Sequence, residues 1–357
     1  MRNNIHMNFF TSKIKKTSKS PSIQLMYFLF PFIALAVYLR NPFSSKKYSV
    51  CRINWTIFIF RSNPEIVIHD YYFYVQNLLI QNLGKIKKRG LVFYECTGFK
   101  PLKLLMPSTN IFLQIEHTLF NPRNNVLSPG IPGGLKVPGH QKNYLVRIAE
   151  IEKLTNADII FDYSRINLFN IRSAPKLKDY LRKSFCISPS LYPLSINSHG
   201  RNGVITLFGN PDLSRRKLFL EDLKKHRIIS KNIRDVYFGI DKIYQKTKMV
   251  INIRQTDSYD TLEELRVLPA LRSGAIVICE TAPYAEKTAY SKFIIWGSLQ
   301  ELPRLVEDVE KNYEEVHARI FGDGAKDSPF IRRMRRIEKC NALTMKRAIN
   351  RMNVINK

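Results

Sequence analysis

The chain has 357 residues, 45% of them hydrophobic, which suits two folded domains rather than one core. The formal net charge of +28 is concentrated at the ends: residues 1–50 carry eight lysines and arginines and no acidic residue, and residues 326–357 carry ten against two acids. A nucleic-acid groove would concentrate this charge on the folded body, whereas basic ends suit an anionic membrane surface. The five cysteines form no CxxC pair, which argues against a disulfide framework and a zinc site.

Residues 1–49 are predicted to be a basic arm followed by a membrane-associating segment. Residues 23–39 are the most hydrophobic run of the chain, but their length is the lower limit for a transmembrane helix, and they include Gln24 and Pro31. Three interpretations follow: a hydrophobic helix that lies on a membrane, a single membrane span, or an ordinary core segment. Basic residues flank the run on both sides, so the charges give no orientation.

Residues 50–186 alternate short apolar strands with amphipathic helices, which is typical of a parallel sheet with helices on its faces. Glu116 and His117 follow one predicted strand and Asp162 follows another, so we expect all three at the same edge of the sheet. A histidine or an aspartate at a strand end is also common as a structural residue, and that interpretation stays open. The predicted strands are 56–60, 65–68, 91–94, 111–114 and 158–161, and the predicted helices are 71–83 and 145–154.

A linker at residues 187–203, rich in serine, proline, asparagine and glycine, is predicted to lead to a second domain at residues 204–325. The elements predicted there are a strand at 204–208, a helix at 214–225, a helix within 228–244, a strand at 293–296 and a helix at 299–320. A basic helical tail is predicted at residues 326–357.

The first turn and helix of the second domain carry glycine and basic residues. Gly209 forms a tight turn after the strand, and the helix opens with Arg215, Arg216 and Lys217. These three side chains could contact a diphosphate, or they could form a solvated face, which is the usual place of a charge run.

The stretch 248–280 has the order of a parallel βαβ unit, with a strand at 249–253, a helix, and a strand at 275–279. Thr261 is predicted to cap the helix, with Glu264 completing a capping box, and the helix ends at Gly274. Ligands of open parallel sheets bind beyond the carboxyl ends of the strands, where helix N-termini favour phosphate. We therefore expect a diphosphate at the start of this helix, provided that the protein's own side chains do not close it.

Further side chains near this helix are candidates for nucleotide binding. Arg254 lies in the loop after the first strand, and Arg266 could pair with the anion. Glu263 or Glu264 could accept hydrogen bonds from ribose hydroxyls.

One spacing in this stretch carries a family resemblance: Arg266-x3-Ala270-Leu271-x2-Gly274-x2-Val277-Ile278. It resembles the donor-nucleotide motif of GT-B glycosyltransferases, in particular their exostosin-like and α1,3-fucosyltransferase-like branches. Pro269 stands where the common form of the motif has its second glutamate.

The resemblance implies an α/β fold of GT-B architecture, with two Rossmann-like domains about a central cleft. It implies transfer of a sugar from a nucleoside diphosphate sugar to a hydroxyl of a glycan or a lipid-linked acceptor. The sequence has no clear DxD motif, and the resemblance to GT-B enzymes implies no required metal. The nucleotide sugar would be a co-substrate and not a cofactor. His117 or Glu116, and less readily Asp162, would act as the general base. The residues that would bind the donor are Gly209, Arg215, Arg216, Lys217, Arg254, Thr261, Glu263, Glu264 and Arg266.

A rival of a different class is a non-catalytic, membrane-tethered protein that uses the same fold to bind anionic lipid or nucleic acid. For the transferase we expect no nucleic-acid partner, and we expect membrane contact through residues 23–39 and the basic termini. The cytoplasmic face is favoured because nucleotide sugars are available there. A single-pass membrane protein is the alternative.

Overall fold

The computed structural model forms two α/β domains, each built on a mainly parallel sheet, and a small antiparallel sheet. This confirms the predicted fold class with two Rossmann-like domains. The described residues are 21–41, 46–64, 69–86, 90–96, 106–116, 118–120, 135–136, 145–146, 148, 150–172, 174–234, 236, 239–254, 261–282, 284, 287–322 and 325–355.

The strands of the first domain are β1 (Tyr48–Ile53), β2 (Thr56–Arg61), β3 (Gly90–Tyr94), β4 (Ser108–Gln114), β5 (Leu119–Phe120), β6 (Leu135–Lys136), β7 (Leu145–Val146), β8 (Ile159–Asp162) and β9 (Ser184–Cys186). The large sheet has the order β1-β2-β3-β4-β8-β9, and every pair except β1 with β2 is parallel. Its central strands are continuous apolar runs because helices or loops cover both faces. The helices of this part are α1 (Pro21–Arg40), α2 (His69–Leu83), α3 (Ile151–Thr155), α4 (Arg165–Arg172) and α5 (Lys178–Lys183).

Most elements predicted for the first domain are confirmed, and one is wrong. The predicted strand at 65–68 lies outside the described residues. The predicted helix at 145–154 is wrong, because β7 pairs with β5 and β6 and only α3 is helical. Val146 and Ile148 are both buried, so the apolar side chains that point inward repeat every two residues, as in extended backbone.

The second domain contains strands β10 (Asn202–Thr206), β11 (Ser230–Asn232), β12 (Thr247–Asn252), β13 (Ile276–Glu280) and β14 (Ile295–Gly297). They form an all-parallel sheet in the order β11-β10-β12-β13-β14. Residues 187–201, all of them described, form no helix or strand, and the predicted domain boundaries around them stay predictions. The helices are α6 (Ser214–Lys225), α7 (Asp241–Tyr244), α8 (Glu264–Arg272), α9 (Leu302–Lys311), α10 (Tyr313–Phe321) and α11 (Pro329–Ile355).

The βαβ unit β12–α8–β13 is confirmed, but the predicted start of its helix is wrong. The helix begins at Glu264 with Glu263 at the N-cap position, so Thr261 lies two residues before the cap. Thr261 and Leu262 are both buried, so packing holds the backbone in place just before the helix starts. The predicted helix at 299–320 is two helices that meet at Asn312, and the segment 228–244 contains β11 as well as α7.

Helix α11 packs against the cores of both domains. Its amphipathic face follows helical spacing, and its two halves enter different cores. The side chain of Glu338 pairs with Arg272 at the end of α8. Phe330, Ile331, Met334 and Ile337 pack in the core of the second domain, and Met345, Ala348, Ile349 and Met352 pack in the core of the first.

Helix α1 packs along the first sheet. Ile33 and Val37 are buried against Tyr48, Ile57 and Ile59 of β1 and β2. In the part of the chain that the structure describes, no helix has both the length and the apolar character needed to cross a membrane.

Candidate functional site

The carboxyl edge of the second sheet carries a pair of arginines held by one carboxylate. Glu280, the last residue of β13, has only 3% of its side chain exposed. Arg254, which follows β12, donates to Oε1 from Nε at 3.0 Å and from Nη2 at 2.7 Å, and its backbone N–H donates to Oε2 at 2.9 Å. Arg215, in the first turn of α6, donates from Nη1 to Oε2 at 2.8 Å. These three residues form the arginine cluster, which keeps an excess of one positive charge.

The arginine cluster has the chemistry of an anion site. The side chains of Arg215 and Arg254 are each 14% exposed, so part of each reaches solvent while the shared carboxylate fixes the orientation of the guanidinium groups. The first turn of α6 adds amide groups and the positive end of the helix dipole. A phosphate group matches the planar, forked donors of arginine.

The side chain of Arg216 packs against the loop between β10 and α6 and does not point into solvent. Arg216 is buried, lies over the ring of Phe208 at 5.0 Å and donates to the carbonyl oxygen of Asn210 at 3.3 Å. A Cβ at Gly209 would have no heavy atom within 4 Å, so space is open above this turn. Lys217 is exposed on the helix surface. The donor-binding roles of these residues stay predictions.

The start of α8 is closed by side chains from both domains. The carboxylate of Glu264 is buried and accepts hydrogen bonds from the hydroxyl of Ser164, which follows β8 in the first domain, and from the hydroxyl of Tyr290 at 3.0 Å. A carboxylate in the first helical turn already satisfies the helix dipole and would repel a phosphate. The carboxylate of Glu264 therefore occupies the first turn of α8, and the binding of a diphosphate at this helix start stays a prediction.

Glu263 and Arg266 pair with each other on the outside of the same turn. Their carboxylate oxygen Oε2 and guanidinium nitrogen Nη1 are 2.6 Å apart, and both side chains are partly exposed. A partly exposed pair of this kind opens at little cost, so it leaves both side chains able to meet a ligand. Their predicted contacts with ribose and phosphate stay predictions.

Asp162 lies fully buried beneath this contact between the domains. Its oxygen Oδ1 accepts hydrogen bonds from the N–H of Ser164 at 2.8 Å and from the amide of Asn167 at 3.0 Å. Its other oxygen, Oδ2, has no hydrogen-bond partner among the described residues. Burial, assisted by the charge of Glu264, raises the pKa of Asp162 well above its ordinary value of 3.8. Asp162 is therefore a buried group whose charged form is disfavoured, not an exposed carboxylate.

The candidate general bases share an edge, as predicted, as far as the described residues reach. The amide of Asn167 donates to the carbonyl oxygen of Glu116 at 3.1 Å as well as to Asp162, which joins the ends of β4 and β8. The side chain of Glu116 is exposed. His117 lies outside the described residues. The catalytic roles of all three stay predictions.

We expect Asp162→Asn to change the pH dependence of stability. Because the folded state holds the proton of Asp162 more tightly than the unfolded state, this residue favours folding below about pH 4, and the benefit is lost as pH rises toward the raised pKa. Between about pH 5 and pH 7, the free energy of unfolding of the wild type should therefore fall relative to the variant, by up to about 1.4 kcal/mol per pH unit. Urea unfolding at several pH values measures this difference. Asp179→Asn, at a side chain that is 87% exposed, is the control, and equal slopes in wild type and Asp162→Asn would contradict the expectation.

Comparisons with known proteins add limited information. No family model matches the chain. An uncharacterized protein, R358 of Acanthamoeba polyphaga mimivirus, is 27% identical over 121 residues, which are 32% of this chain and 42% of that protein. The chain thus matches less than half the length of this relative.

Solved structures of similar outline include the calicheamicin glycosyltransferase CalG4, with a TM-score of 0.33 and 11% identity over 81% of both chains. A UDP-forming α,α-trehalose-phosphate synthase from Burkholderia vietnamiensis has a TM-score of 0.32 and 9% identity, over 87% of this chain and 90% of that one. These TM-scores are too low to support an argument about the fold. The fold is instead described by the strand order of the two sheets.

Several residues of the site were missed from sequence. Glu280 ends a predicted parallel strand, so the rule that ligands gather at carboxyl ends could have singled it out. Ser164 also follows a predicted strand, but its contact with Glu264 and that of Tyr290 had no sequence signal, because these residues meet only in the folded protein.

Proposed function

We propose that the protein is a metal-independent glycosyltransferase, which moves a sugar from a nucleoside diphosphate sugar to a hydroxyl of a glycan or a lipid-linked acceptor. The observation that carries the proposal is the arginine cluster of Arg215, Glu280 and Arg254 at the carboxyl edge of the second sheet. The motif of residues 266–278 adds the resemblance to GT-B enzymes, with the exostosin-like and fucosyltransferase-like branches as the proposed subtype.

The arginine cluster would stabilise the leaving group. As the bond between the anomeric carbon and the diphosphate oxygen breaks, negative charge develops on the diphosphate. Guanidinium groups already oriented by Glu280 need little rearrangement to meet that charge, which makes them more effective than mobile surface lysines. Arg266 would add a further positive charge if its pair with Glu263 opens around the ligand.

The first domain would supply the acceptor and the base. The acceptor oxygen forms the new bond to the anomeric carbon, the diphosphate leaves with its electron pair, and the hydroxyl proton passes to a base. Among the described candidates, Glu116 is exposed at the carboxyl edge of the first sheet, whereas Asp162 is fully buried. Glu116 is therefore the described residue that we assign as base, with His117 as the neighbouring candidate.

Nucleotide binding tests this proposal directly. We expect UDP, GDP or a related nucleoside diphosphate to raise the melting temperature of the full chain, and we expect Arg215→Met to weaken its affinity by about tenfold or more, because a charge-assisted contact to phosphate is lost. Calorimetric titration measures the affinity. Lys224→Met is the matched control, since it removes an exposed positive charge from the other end of the same helix. Equal affinity in the wild type and Arg215→Met would remove the arginine cluster from the site.

A non-catalytic binding protein is the second candidate, and one observation favours it. Ser164 and Tyr290 close the start of α8, which is where the family resemblance puts the nucleotide. Such a protein would bind polyanions in a strongly salt-dependent way and would gain no stability from nucleoside diphosphates. The same titrations, repeated at two salt concentrations, separate the two functions.

Membrane contact through residues 23–39 and the basic termini is part of the proposal. It would place a lipid-linked acceptor near the first domain, to which α1 is attached.

A further inference from the structure

Helix α1 exposes one continuous apolar stripe. Phe28, Phe32, Leu35 and Leu39 are spaced by four, three and four residues, so they lie on one face of the helix. Each is more than half exposed, and the rings of Phe28 and Phe32 contact each other with centroids 5.0 Å apart. Tyr38, which is 71% exposed, borders the stripe.

The opposite face of α1 accounts for the attachment of the helix to the protein. Ile33 and Val37 are buried in the first sheet, and Leu29 and Phe30 pack partly against the same core. Both faces of the helix are therefore apolar, but only one is covered by this chain's described residues. Exposed aromatic rings in a row are unusual on a protein surface and mark a contact site.

Basic residues continue from the end of the stripe. Arg40 lies over the ring of Tyr48 at 5.4 Å, and exposed Lys47 donates to the carbonyl oxygen of Asn41 at the helix end. Lys46, next to it, is also exposed. Residues 1–50 contain eight lysines and arginines without an acidic residue, so no acid of this segment offsets their charge.

We propose that this stripe inserts into the surface of an anionic lipid bilayer, with α1 lying in the interface and the first sheet behind it. Apolar side chains along one face, flanked by lysine and arginine, match the acyl chains and the negative headgroups of such a surface. A second copy of the chain would bring two strongly basic segments together, and their repulsion disfavours that occupant. The inference deepens the membrane contact named in the proposed function and specifies the lipid class, the face and the orientation.

Vesicle binding by the full chain tests this inference. We expect the protein to sediment with phosphatidylcholine vesicles that contain phosphatidylserine, and less with phosphatidylcholine alone. The double variant F32Q/L35Q should bind the anionic vesicles at least about tenfold more weakly, because two buried apolar contacts with lipid are lost. Phe28→Gln provides a second, single-site test with a smaller loss. The side chains of the stripe are exposed in the free protein. We therefore expect F32Q/L35Q and Phe28→Gln to unfold at the same temperature as the wild type.

The control variant is I229Q/L343Q, which removes two exposed apolar side chains outside α1 and should leave vesicle binding unchanged. Equal binding by the wild type and F32Q/L35Q would overturn the inference. So would a wild-type dimer that becomes a monomer in F32Q/L35Q without any vesicle binding, since a second copy would then cover the stripe. Nucleotide titration of F32Q/L35Q keeps the two proposals apart: loss of vesicle binding with intact nucleotide affinity supports the inference even if glycosyl transfer is disproved.

Discussion

Replacing Glu280 with glutamine should lower the free energy of unfolding by about 3 to 5 kcal/mol, because Arg215 and Arg254 would lose the nearly buried carboxylate that both of them contact. Glutamine keeps the shape of the side chain, but its amide group offers the guanidinium groups one neutral oxygen in place of two charged ones. Chemical unfolding in urea measures the loss. Pyrophosphate should restore more stability to this variant than it adds to the wild type, since a bound anion would replace the missing carboxylate.

A surface pair gives the matched control for this substitution. Glu310 pairs with Lys248 at 2.6 Å in the same domain, but its side chain is 49% exposed. Glu310→Gln should cost less than about 1 kcal/mol, because water screens an exposed pair. A loss of the same small size in Glu280→Gln would show that the arginine cluster is solvated and not a preorganised anion site.

The sequence could predict what depends on local pattern. The apolar runs that became β2, β3, β4, β8 and β12 are continuous because parallel strands are buried on both faces, and each lies where the pattern put it. The α/β class and the βαβ unit around α8 follow from those runs and from the helical spacing between them.

The contact between the domains could not be predicted in the same way. Glu264 satisfied the spacing of a capping box, yet in the folded protein its carboxylate contacts Ser164, which is one hundred residues earlier in the chain. Local spacing carries no information about a hydrogen bond between residues so far apart in the chain. The local pattern therefore predicts the helix, but it predicts neither the first residue of the helix nor the side chains that cover its N-terminus.

The arginine cluster lies between these cases. Arg215 and Arg254 were chosen from sequence because each stands beyond a strand end or at a helix start, and the structure brings their guanidinium groups onto one carboxylate. Their partner Glu280 does not follow from the same pattern, because an acidic residue does not itself favour an anion. Two like charges held close together need a counter-charge between them, so a search for an acid at the neighbouring strand end would have completed the cluster.

Gly274→Ala should lower the free energy of unfolding by about 2 to 4 kcal/mol, although the substitution adds only a methyl group. Gly274 ends α8 with φ at 79°, a left-handed conformation that alanine adopts only with strain. An added Cβ would lie 2.5 Å from the carbonyl oxygen of Ser195 and closer still to the guanidinium group of Arg201. Thermal and urea unfolding measure the loss.

The neighbours of Gly274 cannot easily move aside, and this is why the loss should exceed the cost of the backbone conformation alone. Arg201 is buried and donates to the carbonyl oxygens of Tyr244 at 2.8 Å and of Thr247 at 3.2 Å, so a shift of its side chain would break hydrogen bonds inside the protein. Gly209→Ala is the matched control, because Gly209 has no positive φ and a Cβ there meets no atom within 4 Å. Its stability should stay within about 0.5 kcal/mol of the wild type. If both glycine variants were equally stable, the tight packing of residues 195 and 196 against the end of α8 would be disproved.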